Sequence, residues 1–235
     1  EQHLNALNKD VINDLEEALG VARESKEIRS IIITGSGEKA FVAGADIKEF
    51  QHFTREEGHQ LSKMGKQKLF DKIATFEKPI IAAINGYALG GGLELALSAH
   101  LRTASKGARL GLPECSLGLI PGYGGTQRLP HIVGFGLAME MILTGRMLDS
   151  EEAHNTGLVN YVFEQEKLIE KTLEVSKLFQ NKSPEAISAA IKSINSCFTK
   201  NGNQIESEQF AKLFQTNNFK EGVLAFLEKR KPDYK

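Results

Sequence analysis

An α/β fold whose strand-and-helix first part gives way to a helix-rich C-terminal part is the architecture this 235-residue sequence predicts. Short β-branched or apolar runs alternate with segments of helical spacing as far as Gly145. Gly90-Gly91-Gly92 stands between a strand-like run and a run of good helix formers, and from Lys167 onward the patterning is nearly all helical.

The first helix is expected from Asn8 to Arg23, where Val11, Ile12, Leu15, Ala18, Leu19 and Ala22 share one face. A buried strand follows from Ile28 to Thr34, stopped by Gly35-Ser36-Gly37. Helical spacing returns from Arg55 to Phe76 and must end before Pro79. Ile80 to Asn85 reads as a second buried strand, and Leu93 to Leu97 as a helix whose free N–H groups the glycine run would present. Short strands fit Leu101 to Ala104 and Arg109 to Leu112, and helices fit Gly124 to Leu129 and Leu137 to Leu143. Beyond Gly145, helical patterns over Asp149 to Thr156 and Lys167 to Phe179 flank a strand-like run from Leu158 to Phe163. Ser183-Pro184-Glu185 starts a helix that runs through Cys197, with Ser as N-cap and Pro at the first position. Two more helices are expected at Gln204 to Phe214 and Gly222 to Arg230. Residues 1–145 are therefore expected to carry the site, and residues 146–235 to form a helical region suited to packing on a partner subunit.

Lys and Arg number 29 against 30 Asp and Glu, so bulk charge gives no attraction to nucleic acid or anionic membrane. Cys115 and Cys197 form neither a disulfide framework nor a metal-spaced pair, which fits a reducing compartment. No apolar run reaches the roughly 18 residues of a membrane span, and Glu1-Gln2-His3 carries no signal-peptide pattern. The chain does not begin with Met, so residues preceding Glu1 are expected.

Gly86 to Gly92 matches neither G-x-G-x-x-G nor G-x-x-x-x-G-K-[ST], and Gly122-Tyr123-Gly124-Gly125 has no strand directly before it, which excludes the usual nucleotide loops. There is no G-x-S-x-G elbow, and the six histidines show no zinc spacing, so no metal site is expected. Two carboxylates stand in apolar surroundings: Glu94, just after the glycine run, and Glu114, in Gly111-Leu112-Pro113-Glu114. Apolar surroundings raise a carboxyl pKa toward neutrality, where it serves as acid or base. The plainer alternative is that Glu94 complements a helix dipole and Glu114 is a turn residue. A thioester carbonyl developing enolate charge needs fixed donors, and the Gly91 N–H at a helix start is a candidate; tight strand-to-helix packing explains three glycines equally well.

Ile81 to Ala96 (I-A-A-I-N-G-Y-A-L-G-G-G-L-E-L-A) resembles the signature of the enoyl-CoA hydratase (crotonase) superfamily. Phe41 to Glu49, Pro113-Glu114 with Gly118 to Leu129, and Ala225 to Lys231 resemble the same family in the same order, so the likeness spans essentially the whole chain. It implies a crotonase-like spiral of β-β-α repeats with a C-terminal helical trimerisation region, assembled as a homotrimer or homohexamer. It also implies hydration of trans-2-enoyl-CoA to 3-hydroxyacyl-CoA. The N–H groups of Ala45 and Gly91 would form the oxyanion hole, Glu94 and Glu114 would hold the water, with Glu114 giving a proton to C2, and Gly122 would hydrogen-bond that water. Ala43, Gly44, Ala45, Asp46, Ile47 and Lys48 would line the CoA path, and Phe226 and Lys229 would reach the CoA of a neighbouring subunit. No cofactor is implied, because coenzyme A is part of the substrate and its thioester is the electron sink. Such a protein works in the cytoplasm of a bacterium or the mitochondrial matrix of a eukaryote.

Two departures stand out. Relatives begin with a leading pair of strands and a loop that touches CoA, upstream of Glu1 here, and Tyr123 stands where hydratases often have a small residue. Related alternatives are an enoyl-CoA isomerase or a specialised acyl-CoA hydratase. A non-enzymatic alternative is an RNA-binding member of the family, for which Lys63, Lys66, Lys68 and Lys72 form a modest cluster diluted by Glu56, Glu57 and Asp71.

Overall fold

The computed structural model describes residues 4–234, so Glu1-Gln2-His3, read above for a targeting pattern, lies outside the described residues. The elements run α1 (Lys9–Glu24), β1 (Ile31–Thr34), β2 (Ala40–Val42), α2 (Arg55–Gly65), a π turn (Lys66–Phe70) and α3 (Asp71–Ala74). Next come β3 (Ile80–Ile84), β4 (Tyr87–Leu89), α4 (Gly91–Ser98), β5 (Leu101–Ser105), β6 (Arg109–Gly111) and α5 (Gly125–Thr144). The remainder is β7 (Leu148–Asp149), α6 (Ser150–Asn155), β8 (Tyr161–Phe163), α7 (Leu168–Gln180), α8 (Pro184–Asn195), α9 (Gly202–Leu213) and α10 (Asn217–Leu227).

Two four-stranded sheets result, ordered β1-β3-β5-β8 and β2-β4-β6-β7, parallel throughout except between β6 and β7. In each β-β-α unit the first strand enters one sheet and the second enters the other. The intervening helix supplies the crossover that parallel neighbours require. Through β6 the chain thus advances one strand in both sheets with every unit, which is the expected spiral of repeats; the last pair reverses the order, β7 entering the second sheet before α6 and β8 joining the first after it. β3 lies between β1 and β5 with Ile80, Ile81, Ala82, Ala83 and Ile84 all buried, as an apolar run without alternation dictates. The sheets reach past Gly145 to Phe163, and α7 packs on β3 and β5.

β2, β4 and β7 are two or three residues long, too short to show an alternating pattern, and sequence reading placed no strand there. The expected helices over Gly124 to Leu129 and Leu137 to Leu143 are the two helical segments of α5, separated by a kink at the non-helical Gly134 (φ 80°, ψ 161°). Of the run from Leu158 to Phe163 only Tyr161–Phe163 pairs as a strand, while Leu158 and Val159 are core residues of the approach. The final helix begins earlier than its apolar spacing suggested, because Thr216 caps it by accepting from the Phe219 N–H.

Candidate active site

Every residue of α4 is buried, so Glu94 is enclosed among apolar neighbours and only 1% exposed. Its Oε1 accepts two hydrogen bonds of 2.7 Å, from the backbone N–H groups of Tyr123 and Gly125, where the chain enters α5. Burial pushes the Glu94 carboxyl up to about 7; the nearby Glu114 charge adds to the rise, and the two N–H donors and Arg128 oppose it. Burial also raises Glu114, whose Oε2 is enclosed without a hydrogen-bond partner. Both carboxyls are thus raised above their ordinary range, the direction that acid–base work near neutrality needs.

The glycine run sets how closely these groups meet. Gly90 has φ +53° and ψ −125°, open to glycine alone, and a Cβ there would lie 3.0 Å from Glu114 Oε1. Gly92 lies against β2, where a Cβ would come within 2.0 Å of the Val42 carbonyl oxygen. Gly91, the first residue of α4, presents its N–H outward from the helix start. Ala45 lies beside Gly91. Leu7 pairs with Ala45 through Leu7 N–H to Gly44 C=O and Asp46 N–H to Leu7 C=O, which turns the Ala45 N–H to the opposite edge of that segment. On that edge, a Cβ built on Gly91 would lie 3.8 Å from Ala45 N.

Ala45, Gly91, Glu94, Glu114 and Gly122 line one cavity of about 700 Å³, walled by Phe50, Phe53 and Leu61. A second cavity of about 650 Å³ adjoins it, sharing Ala45, Phe50, Phe53, Leu61 and Tyr123, and bounded further by Leu7, Asp46 and Met64. The Tyr123 ring packs inward: it stacks on Phe70 at 4.6 Å and is 8% exposed. Gly65 makes room for it, since a Cβ at that position would lie 2.4 Å from Tyr123 Cε1. The ring thus borders both cavities beside Gly91.

Among the expected CoA-path residues, Ala43, Gly44, Ala45 and Asp46 are half-buried and Ile47 and Lys48 exposed, with Asp46 accepting from the Lys48 N–H. Phe226 and Lys229 are not brought to this site; Phe226 is 83% exposed and borders a separate cavity with Leu213 and Val223. Of the lysine cluster, Lys68 and Lys72 both pair with the single carboxylate of Glu16, which offsets one of its four charges. Among the described residues, no group of three or more His, Cys, Asp or Glu is arranged to hold a metal, and no helix is long and apolar enough to cross a membrane.

The Tyr123 and Gly125 N–H donors to Glu94 were not anticipated, nor was Arg128, which reaches back to this loop. Backbone donors brought from 29 and 31 residues away leave no signal in residue type.

A family model described as enoyl-CoA hydratase/isomerase matches residues 1–235. The chain is 41% identical over 231 residues to a short-chain-enoyl-CoA hydratase of Clostridium acetobutylicum, covering 97% of this chain and 88% of the relative. It is 40% identical over 234 residues to a crotonyl-CoA hydratase of Syntrophomonas wolfei, covering 98% and 90%. A crystal structure of an enoyl-CoA hydratase from Bacillus anthracis superposes with a TM-score of 0.92 at 38% identity, covering 100% of this chain and 92% of that one.

Proposed function

The chain belongs to the enoyl-CoA hydratase/isomerase family, and on that footing we propose that it adds water across the double bond of a trans-2-enoyl-CoA to give a 3-hydroxyacyl-CoA. The observation that carries this reading is the presence of two carboxyls of raised pKa in one cavity with the Ala45 and Gly91 backbone.

The thioester oxygen lies between the N–H groups of Ala45 and Gly91. Charge that builds there as an enolate meets two fixed donors and the positive end of α4. Loss of one such donor costs about 10²–10³ in turnover. The Tyr123 and Gly125 N–H groups hold one Glu94 oxygen, so the carboxyl has a fixed orientation toward the water. Glu94 and Glu114 hold that water, with the Gly122 backbone beside it. The water oxygen bonds to C3 as its proton passes to the carboxylate of Glu94, and Glu114 gives a proton to C2. Transfer of the proton from Glu94 to Glu114 restores the starting state, so one water is consumed. No metal or redox cofactor enters, because the electron pair displaced from the double bond resides on the thioester.

Isomerisation of a 3-enoyl-CoA needs one proton shuttle; a second raised carboxyl in the same cavity favours hydration. Exposed Phe198, Phe210, Phe214, Phe226 and Leu227, on the C-terminal helices and the turns that join them, suit assembly as a homotrimer or as paired trimers. Phe226 and Lys229 then serve the CoA of a neighbouring subunit, and Ala43 to Lys48 the CoA of their own. The cellular address is the bacterial cytoplasm or the mitochondrial matrix. The test is loss of enoyl-thioester absorbance with crotonyl-CoA. Turnover in the native protein supports hydration; binding of CoA thioesters with no loss of absorbance, but conversion of a 3-enoyl-CoA, moves the function to isomerisation.

A further inference from the structure

The loop that holds Glu94 is itself held from behind. Arg128, closing the first turn of α5, donates from Nη1 to the Tyr123 carbonyl at 2.9 Å and from Nη2 to Asp71 Oδ1 at 2.7 Å. Its side chain is 19% exposed and that of Asp71 55%, so the prong on the Tyr123 carbonyl is the one better shielded from competing water. The residue whose carbonyl Arg128 grips is the one whose N–H supports Glu94. Asp71 opens α3 directly after the π turn that carries Phe70, and Phe70 stacks on the Tyr123 ring. From α2, Ser62 Oγ donates to the Gly122 carbonyl at 2.6 Å. The Gly122–Gly125 loop is therefore tied to the α2–α3 wall of the cavity at three points, and Arg128 is the only cation among them.

Resting on the hydration reading above, we infer that Arg128 is a positioning residue. By bridging the Tyr123 carbonyl to Asp71, it keeps the Tyr123 and Gly125 N–H groups aimed at Glu94 Oε1 and so fixes the carboxyl that handles the water. Arg128 touches none of the reacting atoms. Its action runs through the loop, and the planar two-pronged contact is what lysine cannot reproduce.

The test uses Arg128→Met, Arg128→Lys and Asp71→Ala, with Arg109→Met as a control, since Arg109 forms an exposed pair with Asp149 and lines neither cavity. With crotonyl-CoA, Arg128→Met should lower kcat at least tenfold while KM changes less than threefold; Arg128→Lys and Asp71→Ala should lose an intermediate amount, and Arg109→Met none. Independently of turnover, the neutral-carboxyl infrared band assigned by difference from Glu94→Gln should titrate at higher pH in Arg128→Met. The groups acting on Glu94 are Glu114, Arg128 and the two loop N–H donors, and the substitution removes a cation and loosens the donors, both of which raise the midpoint. A folded Arg128→Met with kcat within twofold of native overturns the inference. If that variant does not fold, full kcat in both Arg128→Lys and Asp71→Ala overturns it. If the native protein does not hydrate crotonyl-CoA, the hydration reading falls, and an unchanged infrared midpoint in Arg128→Met would then separately overturn the clamp.

Discussion

Replacing Glu94 by Gln removes an ionisation from a position 1% open to solvent while keeping an oxygen that can accept from Tyr123 and Gly125. Burial raises the folded pKa from 4.5 to about 7, so the folded state binds more protons than the unfolded state between those values. The stabilisation from a neutral Glu94 is fully present below pH 4.5 and is lost as pH rises through about 7. Glu94→Gln should therefore match the native protein in stability near pH 4.5 and exceed it at pH 8, by about 3 kcal/mol. Denaturant unfolding at the two pH values checks this, and equal stability at pH 8 would place a solvated carboxylate at this position. Glu94 and Glu114 are legible in sequence because a carboxylate inside an apolar run is uncommon enough to draw notice. What holds them is not legible: Gly90 against Glu114 and two backbone N–H groups on Glu94 are contacts that only the fold creates.

At the scale of the element, α4 separates two uses of glycine. A Cβ on Gly91 meets nothing closer than the Tyr123 ring at 3.6 Å, whereas one on Gly92 would be 2.0 Å from the Val42 oxygen. Gly91→Ala should therefore fold with a melting temperature close to native but, on the proposed mechanism, lose about 10²-fold or more in kcat/KM, as its methyl would crowd the position proposed for the thioester oxygen. Gly92→Ala should instead lose several kcal/mol, of the kind seen when a core is overpacked. Thermal melting and crotonyl-CoA kinetics on the pair separate the two roles. Of the two readings of the glycine run left open by sequence, close packing holds at Gly92, and the donor role proposed for Gly91 is what these kinetics test. Long elements such as α1, α7 and β3 could be read from periodicity, but β2, β4 and β7 are held by pairing across the chain and not by their own residues.

For the whole molecule, the spiral matters because successive units bring residues 45, 94, 114 and 122 to one cavity. Tyr123, which borders it and its neighbour, marks where this chain sets its own limits. Tyr123→Ala should raise turnover of octenoyl-CoA relative to crotonyl-CoA by joining the two cavities, and should lower stability by about 3 kcal/mol through loss of the Phe70 stack and the space left behind. An unchanged substrate ratio would show that the ring packs beside the acyl path without bounding it. The exposed phenylalanines of the last helices make the assembly testable as well: a trimer or hexamer by sedimentation, with Phe226→Ala raising KM for CoA thioesters and leaving kcat near native.

The most direct measurement is the absorbance loss of crotonyl-CoA with native protein, Glu94→Gln and Glu114→Gln side by side. The two-carboxyl mechanism predicts rapid loss with the native protein and at least a hundredfold slower loss with each folded variant. Native turnover in Glu114→Gln would contradict it.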